Sequence, residues 1–152
     1  MRPLLSFILL GLLTTSLSAQ SIASKDHAKD IAMIQSFIAD LADDSKAIDI
    51  VLSQHLIIQN PSDELYDYLE VSLQEVRINL MTKRTDEITY TPYSNMPRKE
   101  INDIDPENLD TQNMYFLHYR KRQMLAVYVE NNKIGSFTLV SKGGRKAHFV
   151  RY

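Results

Sequence analysis

The chain has 152 residues, of which 17 are basic and 19 are acidic, giving a formal net charge of −2. That balance argues against bulk electrostatic attraction to nucleic acid, so we expect no nucleic-acid partner. The absence of cysteine excludes a disulfide framework, a thiolate metal site and a cysteine nucleophile.

The amino terminus has the layout of a secretory signal peptide. Arg2 supplies a positive charge, residues 4–13 are almost all apolar, and small residues follow up to Ala19. The apolar stretch is shorter than the roughly 18 residues that a membrane-spanning helix needs. We therefore predict that residues 1–19 are removed on export. The mature protein is then periplasmic or secreted, without a stable membrane span.

The remaining chain is predicted to form a single domain. Residues 20–25 make a short polar leader, and residues 26–152 carry the hydrophobic patterns of one α+β domain. About 130 residues are enough for a domain with its own hydrophobic core.

Three amphipathic helices are predicted in the first half of this domain. Ser45 is expected to cap the second helix, whose apolar face includes His55 as a hydrogen-bonded core histidine. Asn60 and Pro61 are expected to begin the third and longest helix. Its apolar side is formed by Leu65, Leu69, Leu73, Val76 and Leu80.

The hydrophobic period changes to alternation after Lys83. Residues 87–93 are predicted as a short edge strand because they contain Pro92, and residues 94–112 as a polar loop that serves as a lid or binds a partner. Further strands are predicted at 114–119, 123–130, 133–141 and 147–152. Helices followed by a four- to five-stranded antiparallel meander make an α+β fold, with the helices across one face of the sheet.

Tight two-residue turns are expected within this meander. Asn131–Asn132 and Gly143–Gly144 are residue pairs that favour such hairpins. The glycines are read as a turn and not as a phosphate loop, because a strand follows them where a phosphate loop requires a helix.

This order of elements, about three helices and then a curved antiparallel sheet, resembles the cystatin-like, NTF2-like superfamily of cone-shaped α+β domains. The resemblance covers most of the mature chain. Members of the superfamily include small-molecule isomerases and dehydratases, ligand carriers and proteins that only bind, and many of them assemble through the sheet. The resemblance therefore implies a fold and a homodimer, and it leaves both an enzyme and a binding protein open.

Both faces of the predicted sheet are substantially apolar, although the outer face of such a sheet is normally polar. The predicted register places Ala126 and Tyr128 on the same face as Tyr115, and Leu125 and Val127 on the opposite face. Helices cover one face, so the other needs a second cover. That cover would be a partner subunit in a sheet-to-sheet homodimer, a bound ligand, or the long loop.

Tyrosines on one predicted face suggest a ligand pocket. Tyr115, Tyr119 and Tyr128 would line it together with His148, because tyrosine buries a large ring while keeping one polar group. In that case His148 is a candidate general base, and the protein would be a small-molecule enzyme of the NTF2-like type.

Basic residues flank two of the predicted turns. Alternate turns of a meander lie at the same end of a sheet, so these cations are expected to share one rim. Such a rim would hold phosphate, lipid headgroups or an acidic partner. Alternatively, the charges only keep the hairpin edges soluble. The six cations are Arg120, Lys121, Arg122, Lys142, Arg145 and Lys146.

The sequence contains no recognisable metal or cofactor motif. His118 and His148 fall on opposite faces of the predicted sheet, and no His-x-x-x-His spacing occurs. We therefore expect neither a metal nor a cofactor. The first hypothesis is a small exported binding or interaction protein without catalysis. The enzyme with a tyrosine-lined pocket and the anion binder are the alternatives.

Overall fold

The fold is given by a computed structural model that describes residues 25–141, 143–144 and 146–152. The predicted signal peptide, most of the leader, Lys142 and Arg145 lie outside the described residues. Helices come first and an antiparallel sheet follows, so the predicted α+β fold is confirmed. No helix in the described part of the chain is long and apolar enough to cross a membrane.

Three helices form the layer that packs on the sheet. They are α1, Ala28–Ala42; α2, Ile48–His55; and α3, Asp63–Met81. A single-turn helix, α4, spans Arg98–Ile101 within the later loop. The apolar side predicted for the third helix is confirmed, since all five of its residues belong to or pack against the core.

Two predicted helix caps differ from the structure. Ser62, and not Asn60, caps α3, and its hydroxyl accepts a hydrogen bond from a first-turn N–H at 3.2 Å. The hydroxyl of Ser45 donates to Asp43 at 2.6 Å within the turn after α1. The second helix therefore begins after Ala47 without a side-chain cap.

The main sheet has four antiparallel strands in the order β1–β2–β3–β4, and a separate two-stranded sheet pairs β5 with β6. The first strand is at an edge of the main sheet, as predicted. The strands are β1, Ile88–Pro92; β2, Met114–Tyr119; β3, Arg122–Glu130; β4, Lys133–Ser136; β5, Leu139–Ser141; and β6, Ala147–Phe149.

The continuous strand predicted over residues 133–141 is wrong, because the chain leaves the main sheet at Phe137 and Thr138. The N–H of Phe137 donates to the hydroxyl of Tyr152 at 3.2 Å, and the N–H of Thr138 donates to the hydroxyl of Ser136 at 3.1 Å. Side-chain hydroxyl groups thus accept the backbone N–H hydrogen bonds that a continuing strand would make with a neighbouring strand. The result is two sheets where one meander was expected.

The predicted register of β3 is also wrong. Tyr115 pairs with Val127 and Met114 pairs with Tyr128, and the pairing shifts between Leu117 and His118. A shift of one residue moves every side chain of a strand to the other face. Val127 therefore lies on the helix-covered face with Tyr115, whereas Tyr128 lies on the second face.

The second face of the sheet is covered by the long loop and the β5–β6 hairpin. Met96 and Ile104 from the loop pack with Phe116, Tyr128 and Phe149 in a core cluster separate from the helix-side core. Of the three covers expected for this face, the structure contains the loop. The sheet-to-sheet homodimer stays a prediction, but the apolar face that suggested it is already buried.

Two backbone hydrogen bonds join the hairpin to the loop. The N–H of Ala147 donates to the carbonyl of Asp103, and the N–H of Asp105 donates to the carbonyl of Ala147, each at 2.7 Å. The bridge between Ile104 and Ala147 is parallel. The hairpin is therefore joined to the loop by backbone hydrogen bonds and to the main sheet by side-chain packing, in which Phe149 lies against Tyr128.

A buried arginine connects the three helices. Arg77 lies on the inner side of α3. Its Nε donates to the carbonyl of Leu41 and its Nη2 donates to the carbonyl of Lys46, both at 2.8 Å. These carbonyls lie at the end of α1 and just before α2, where backbone groups lack partners within a helix. The guanidinium supplies those partners, and its positive charge interacts favourably with the partial negative charge at the end of α1.

We expect Arg77→Met to lower the free energy of unfolding by about 3 kcal/mol. Methionine keeps much of the apolar stem but removes two charge-assisted hydrogen bonds, each worth about 1.5–3 kcal/mol. The measurement is urea unfolding followed by circular dichroism. Gln74→Ala on the exposed side of the same helix is the control and should change stability by less than about 0.5 kcal/mol. A loss below about 1 kcal/mol for Arg77→Met would contradict this role of the arginine.

Candidate functional site

A strained hairpin joins β2 and β3. Its two turn residues, Arg120 and Lys121, have φ angles of 47° and 67°. Two-residue hairpins of this kind favour asparagine or glycine, and Asn131 and Asn132 occupy the next one with φ angles of 50° and 58°. Left-handed conformations cost residues with long side chains about 1–2 kcal/mol each. The chain thus places two cations where other residue types would be more stable.

Two cations contact the ring of Tyr119, the last residue of β2. The guanidinium carbon of Arg120 lies 5.1 Å from the ring centroid, and Nζ of Lys83 lies 5.8 Å from it. Such distances allow cation–π attraction. Arg122 pairs with Tyr119 across the hairpin. The end of α3 and the β2–β3 hairpin therefore bring three cations around one tyrosine.

These residues line a surface groove of about 500 Å³, named here the Tyr119 groove. No acidic side chain is among its described lining residues. The lining offers two amide side chains and three cations as hydrogen-bond donors. It consists of Asn79, Lys83, Tyr119, Arg120, Arg122, Gln123 and Met124.

The three cations differ in how far they are already paired. Nε of Arg120 lies 3.6 Å from one carboxylate oxygen of Glu87. The other oxygen of Glu87 lies 3.4 Å from Nε of Arg84. Nζ of Lys83 donates to the carbonyl of Asn79 at 2.9 Å. The side chain of Arg122 makes no hydrogen bond or ion pair with the other described residues. It is the cation most available to a ligand.

The four described members of the predicted basic rim line three recesses, and Lys142 and Arg145 lie outside the described residues. Arg120 and Arg122 line the Tyr119 groove, whereas Lys121 lines a different recess together with His118 and Glu100. Lys146 lies in a recess of about 350 Å³ beside the β5–β6 turn, which Asp103 also lines. The argument for one shared rim required one continuous meander, and the structure has two sheets.

Lys83 was not among the cations predicted for the site. It belongs to the segment after α3 and is 36 positions before Tyr119 in the sequence. Nothing in the local pattern connects the two residues, because their contact depends on how α3 packs against the sheet. The positive charge directly after a long amphipathic helix was the only available signal.

The predicted tyrosine-lined pocket is not assembled from its four residues. Tyr115 is buried in the helix-side core, whereas Tyr128 packs against Phe149 in the other core cluster. His148 lies on β6, opposite Val140. Tyr115 and Tyr128 are on opposite faces of the sheet and cannot line one cavity. Of the three tyrosines, Tyr119 is the one that lines a surface groove.

The hydroxyl of Tyr115 belongs to a buried polar network. It donates to Asp30 at 2.6 Å and lies 2.8 Å from Nδ1 of His27. Nζ of Lys25 also donates to Asp30, at 2.5 Å, and to the side chain of Asn113. Burial raises the pKa of the Tyr115 phenol, and the Asp30 carboxylate raises it further. The network attaches the segment before α1 to the start of β2.

His55 behaves as a core histidine, as predicted. Its Nε2 lies 2.8 Å from a carboxylate oxygen of Asp40, and its ring packs against Phe37 with centroids 5.6 Å apart. Lys46 donates to the other oxygen of Asp40. The hydrogen bond from Lys46, followed by that from His55, holds the pKa of Asp40 below its usual value. These contacts stabilise the α1–α2 corner.

Comparison of the chain with protein-family models, with curated proteins and with solved structures found no match. The resemblance to the NTF2-like superfamily therefore stays a prediction. Within the described ranges, no cluster of three or more histidine and acidic side chains is placed to hold a metal ion. The chemistry of the Tyr119 groove is thus the main guide to function.

We expect Lys121→Gly to raise the free energy of unfolding by about 0.5–1 kcal/mol, because glycine adopts a φ angle of 67° without steric strain. The measurement is a urea unfolding curve at neutral pH. Asn132→Gly is the control and should give a smaller gain, because asparagine already tolerates this conformation. A loss of stability in Lys121→Gly would show that the lysine is not strained.

We expect the stability of the protein to fall as pH rises above about 10, the usual pKa of tyrosine. The folded state raises the pKa of Tyr115, so only the unfolded chain loses this proton readily and unfolding becomes more favourable. Tyr115→Phe should be less stable at pH 7 and should lose less stability between about pH 9 and pH 11. Equal alkaline slopes for the two proteins in urea titrations would contradict this account.

Proposed function

We propose that this protein is an exported binding protein that holds an anionic group in the Tyr119 groove. One observation carries the proposal: Lys83, Arg120 and Arg122 line the same groove, and no described acidic side chain lines it with them. Arg120 is partly compensated by Glu87 outside the groove lining, whereas Lys83 and Arg122 make no ion pair with the described residues, so a bound anion would compensate their charges.

The side chains suit a phosphoryl or carboxylate group. Guanidinium groups present paired N–H donors that match two oxygens of such an anion, and the ammonium of Lys83 adds a compact charge. The ring of Tyr119 lies beside Arg120 and Lys83 and limits the positions that the guanidinium and ammonium groups can adopt. The groove therefore has the donors and the partial preorganisation that anion binding requires.

A neighbouring recess extends the site with a mixed lining, in which Ser72, Glu75 and Thr138 accompany apolar side chains. It has a volume of about 350 Å³ and shares Asn79 and Met124 with the Tyr119 groove. Val76, Leu125 and Phe137 contribute apolar side chains to its lining. A ligand with an anionic head and an apolar body would use both recesses, whereas a free anion would use only the first.

The proposal is tested by titrating the mature protein with inorganic phosphate, and with vesicles of phosphatidylglycerol or of phosphatidylcholine. We expect binding that weakens with added salt. Binding to phosphate as well as to anionic vesicles would indicate recognition of the charged group alone. Much tighter binding to the anionic vesicles would indicate that the neighbouring recess contributes. Absence of binding to all three probes would overturn the proposal.

We expect Arg122→Gln to weaken binding by about tenfold or more, because a hydrogen bond to a charged group contributes a net 1.5–3 kcal/mol or so and about 1.4 kcal/mol corresponds to a factor of ten. Lys121→Gln is the matched control. It removes the same charge one residue away, from a side chain outside the Tyr119 groove. Equal losses in the two variants would indicate attraction to a diffuse positive surface and would contradict a defined site.

A further inference from the structure

One edge of β3 is only partly paired. The edge toward β2 is paired from Arg122 to Tyr128. The other edge pairs with β4 only over residues 128–130, because the chain leaves the main sheet after Ser136. On this side, residues 122–127 make no backbone hydrogen bond with the other described residues. This open edge therefore presents backbone donors and acceptors that a further strand could use.

The Tyr119 groove and the neighbouring recess follow the open edge. Arg122, Gln123 and Met124 line the groove, and Met124 and Leu125 line the recess. The helix α3 forms the opposite wall of both, and its Asn79 lines the two of them. The open edge of β3 and the side of α3 thus form the walls of one channel, named here the β3–α3 channel.

The β3–α3 channel carries opposite charges at its two ends. Lys83 and Arg122 line the Tyr119 groove, and Glu75 lines the recess. None of these three side chains forms an ion pair with another described residue. Glu75, Asn79 and Lys83 follow one another at intervals of four, so they lie along one side of α3 and its end. Two such intervals correspond to about 12 Å along a helix.

We infer that the β3–α3 channel binds a free peptide of about four residues as an added strand of the main sheet. The peptide runs antiparallel to β3, in the place that a longer β4 would occupy. Its carboxylate lies with Arg122 and Lys83, and its amino group lies near Glu75. Four extended residues span about 13 Å, which matches the separation of these charges. The inference rests on the proposed function, because it identifies the bound anion as a peptide carboxylate.

The open edge favours a peptide over other anions. Only a peptide offers the repeating N–H and C=O groups that pair with a strand, whereas phosphate or a lipid would leave those of β3 without partners. Side chains of the added strand would point alternately to opposite sides. Val76 and Leu125 in the recess favour an apolar side chain at the position that faces them.

The test is calorimetric titration of the mature protein with a tetrapeptide of alternating alanine and leucine whose two ends are free. We expect saturable binding at peptide concentrations up to about 1 mM. The C-terminal amide should bind about tenfold or more weakly, because it lacks the charge that faces Arg122 and Lys83. The N-acetylated peptide should bind about two- to fivefold more weakly, because it loses an exposed charge pair with Glu75. Equal affinities for the three peptides would overturn the inference.

Methylation of peptide nitrogens tests the strand pairing. Alternate residues of a strand direct their N–H groups to the same neighbour. A methyl group on the nitrogen of the second residue and one on the nitrogen of the third should therefore differ in effect. One should abolish binding and the other should be tolerated. Equal affinities for the two methylated peptides would exclude an added strand.

A variant of α3 tests the direction of the peptide. Glu75→Gln should weaken binding of the free peptide about two- to fivefold and should leave the N-acetylated peptide unaffected. Asp67→Asn is the matched control, since it removes a carboxylate from the exposed side of the same helix. Neither residue lines the Tyr119 groove, so both variants should bind phosphate as wild type does. A Glu75→Gln protein that still prefers the free amino group would contradict the inferred direction.

Phosphate separates a failure of this inference from a failure of the proposed function. Binding of phosphate without binding of the tetrapeptide would overturn the peptide and leave the anion site in place. Absence of binding to the tetrapeptide, to phosphate and to both kinds of vesicle would overturn both.

Discussion

The buried guanidinium of Arg77 is the contact on which the helical layer depends. It binds backbone carbonyls at the end of α1 and before α2, and so fixes both segments to the last third of α3. A buried charge is stable only when its donors are satisfied, so these three segments must meet in one arrangement. The orientation of α3 follows from this contact. That orientation determines which side faces the sheet, which side faces solvent, and where Lys83 emerges.

The Tyr119 groove is a consequence of that orientation combined with an unfavourable turn. Lys83 reaches Tyr119 because α3 ends beside the β2–β3 hairpin. Arg120 and Lys121 hold left-handed backbone conformations that asparagine or glycine would adopt with less strain. Strain of this kind is often found where a side chain is kept for binding. The groove thus lies between the helical layer and a hairpin whose turn would be more stable with asparagine or glycine in place of Arg120 and Lys121.

Helical periodicity predicted the first half of the fold well, because one apolar side per helix is enough to identify it. The strands were harder for two physical reasons. The register of β3 depends on a turn of two residues and a shift after Leu117, and one residue decides which face every side chain takes. The break after Ser136 depends on hydrogen bonds from Phe137 and Thr138 to hydroxyl groups, one of them in Tyr152. Such contacts leave no periodic signal, and neither does the meeting of Lys83 with Tyr119.

The side-chain and backbone contacts of residues 147–152 have a consequence for how the protein folds. Phe149 belongs to the second core cluster, and Tyr152 belongs to the helix-side core. The carbonyl of Tyr152 also accepts a hydrogen bond from the N–H of Gln59 at 2.7 Å. Helices can form from local contacts, but both cores close through pairs far apart in the sequence, which slows folding. Until residues 147–152 are in place, neither core is closed, and the apolar sides of the helices stay exposed to solvent.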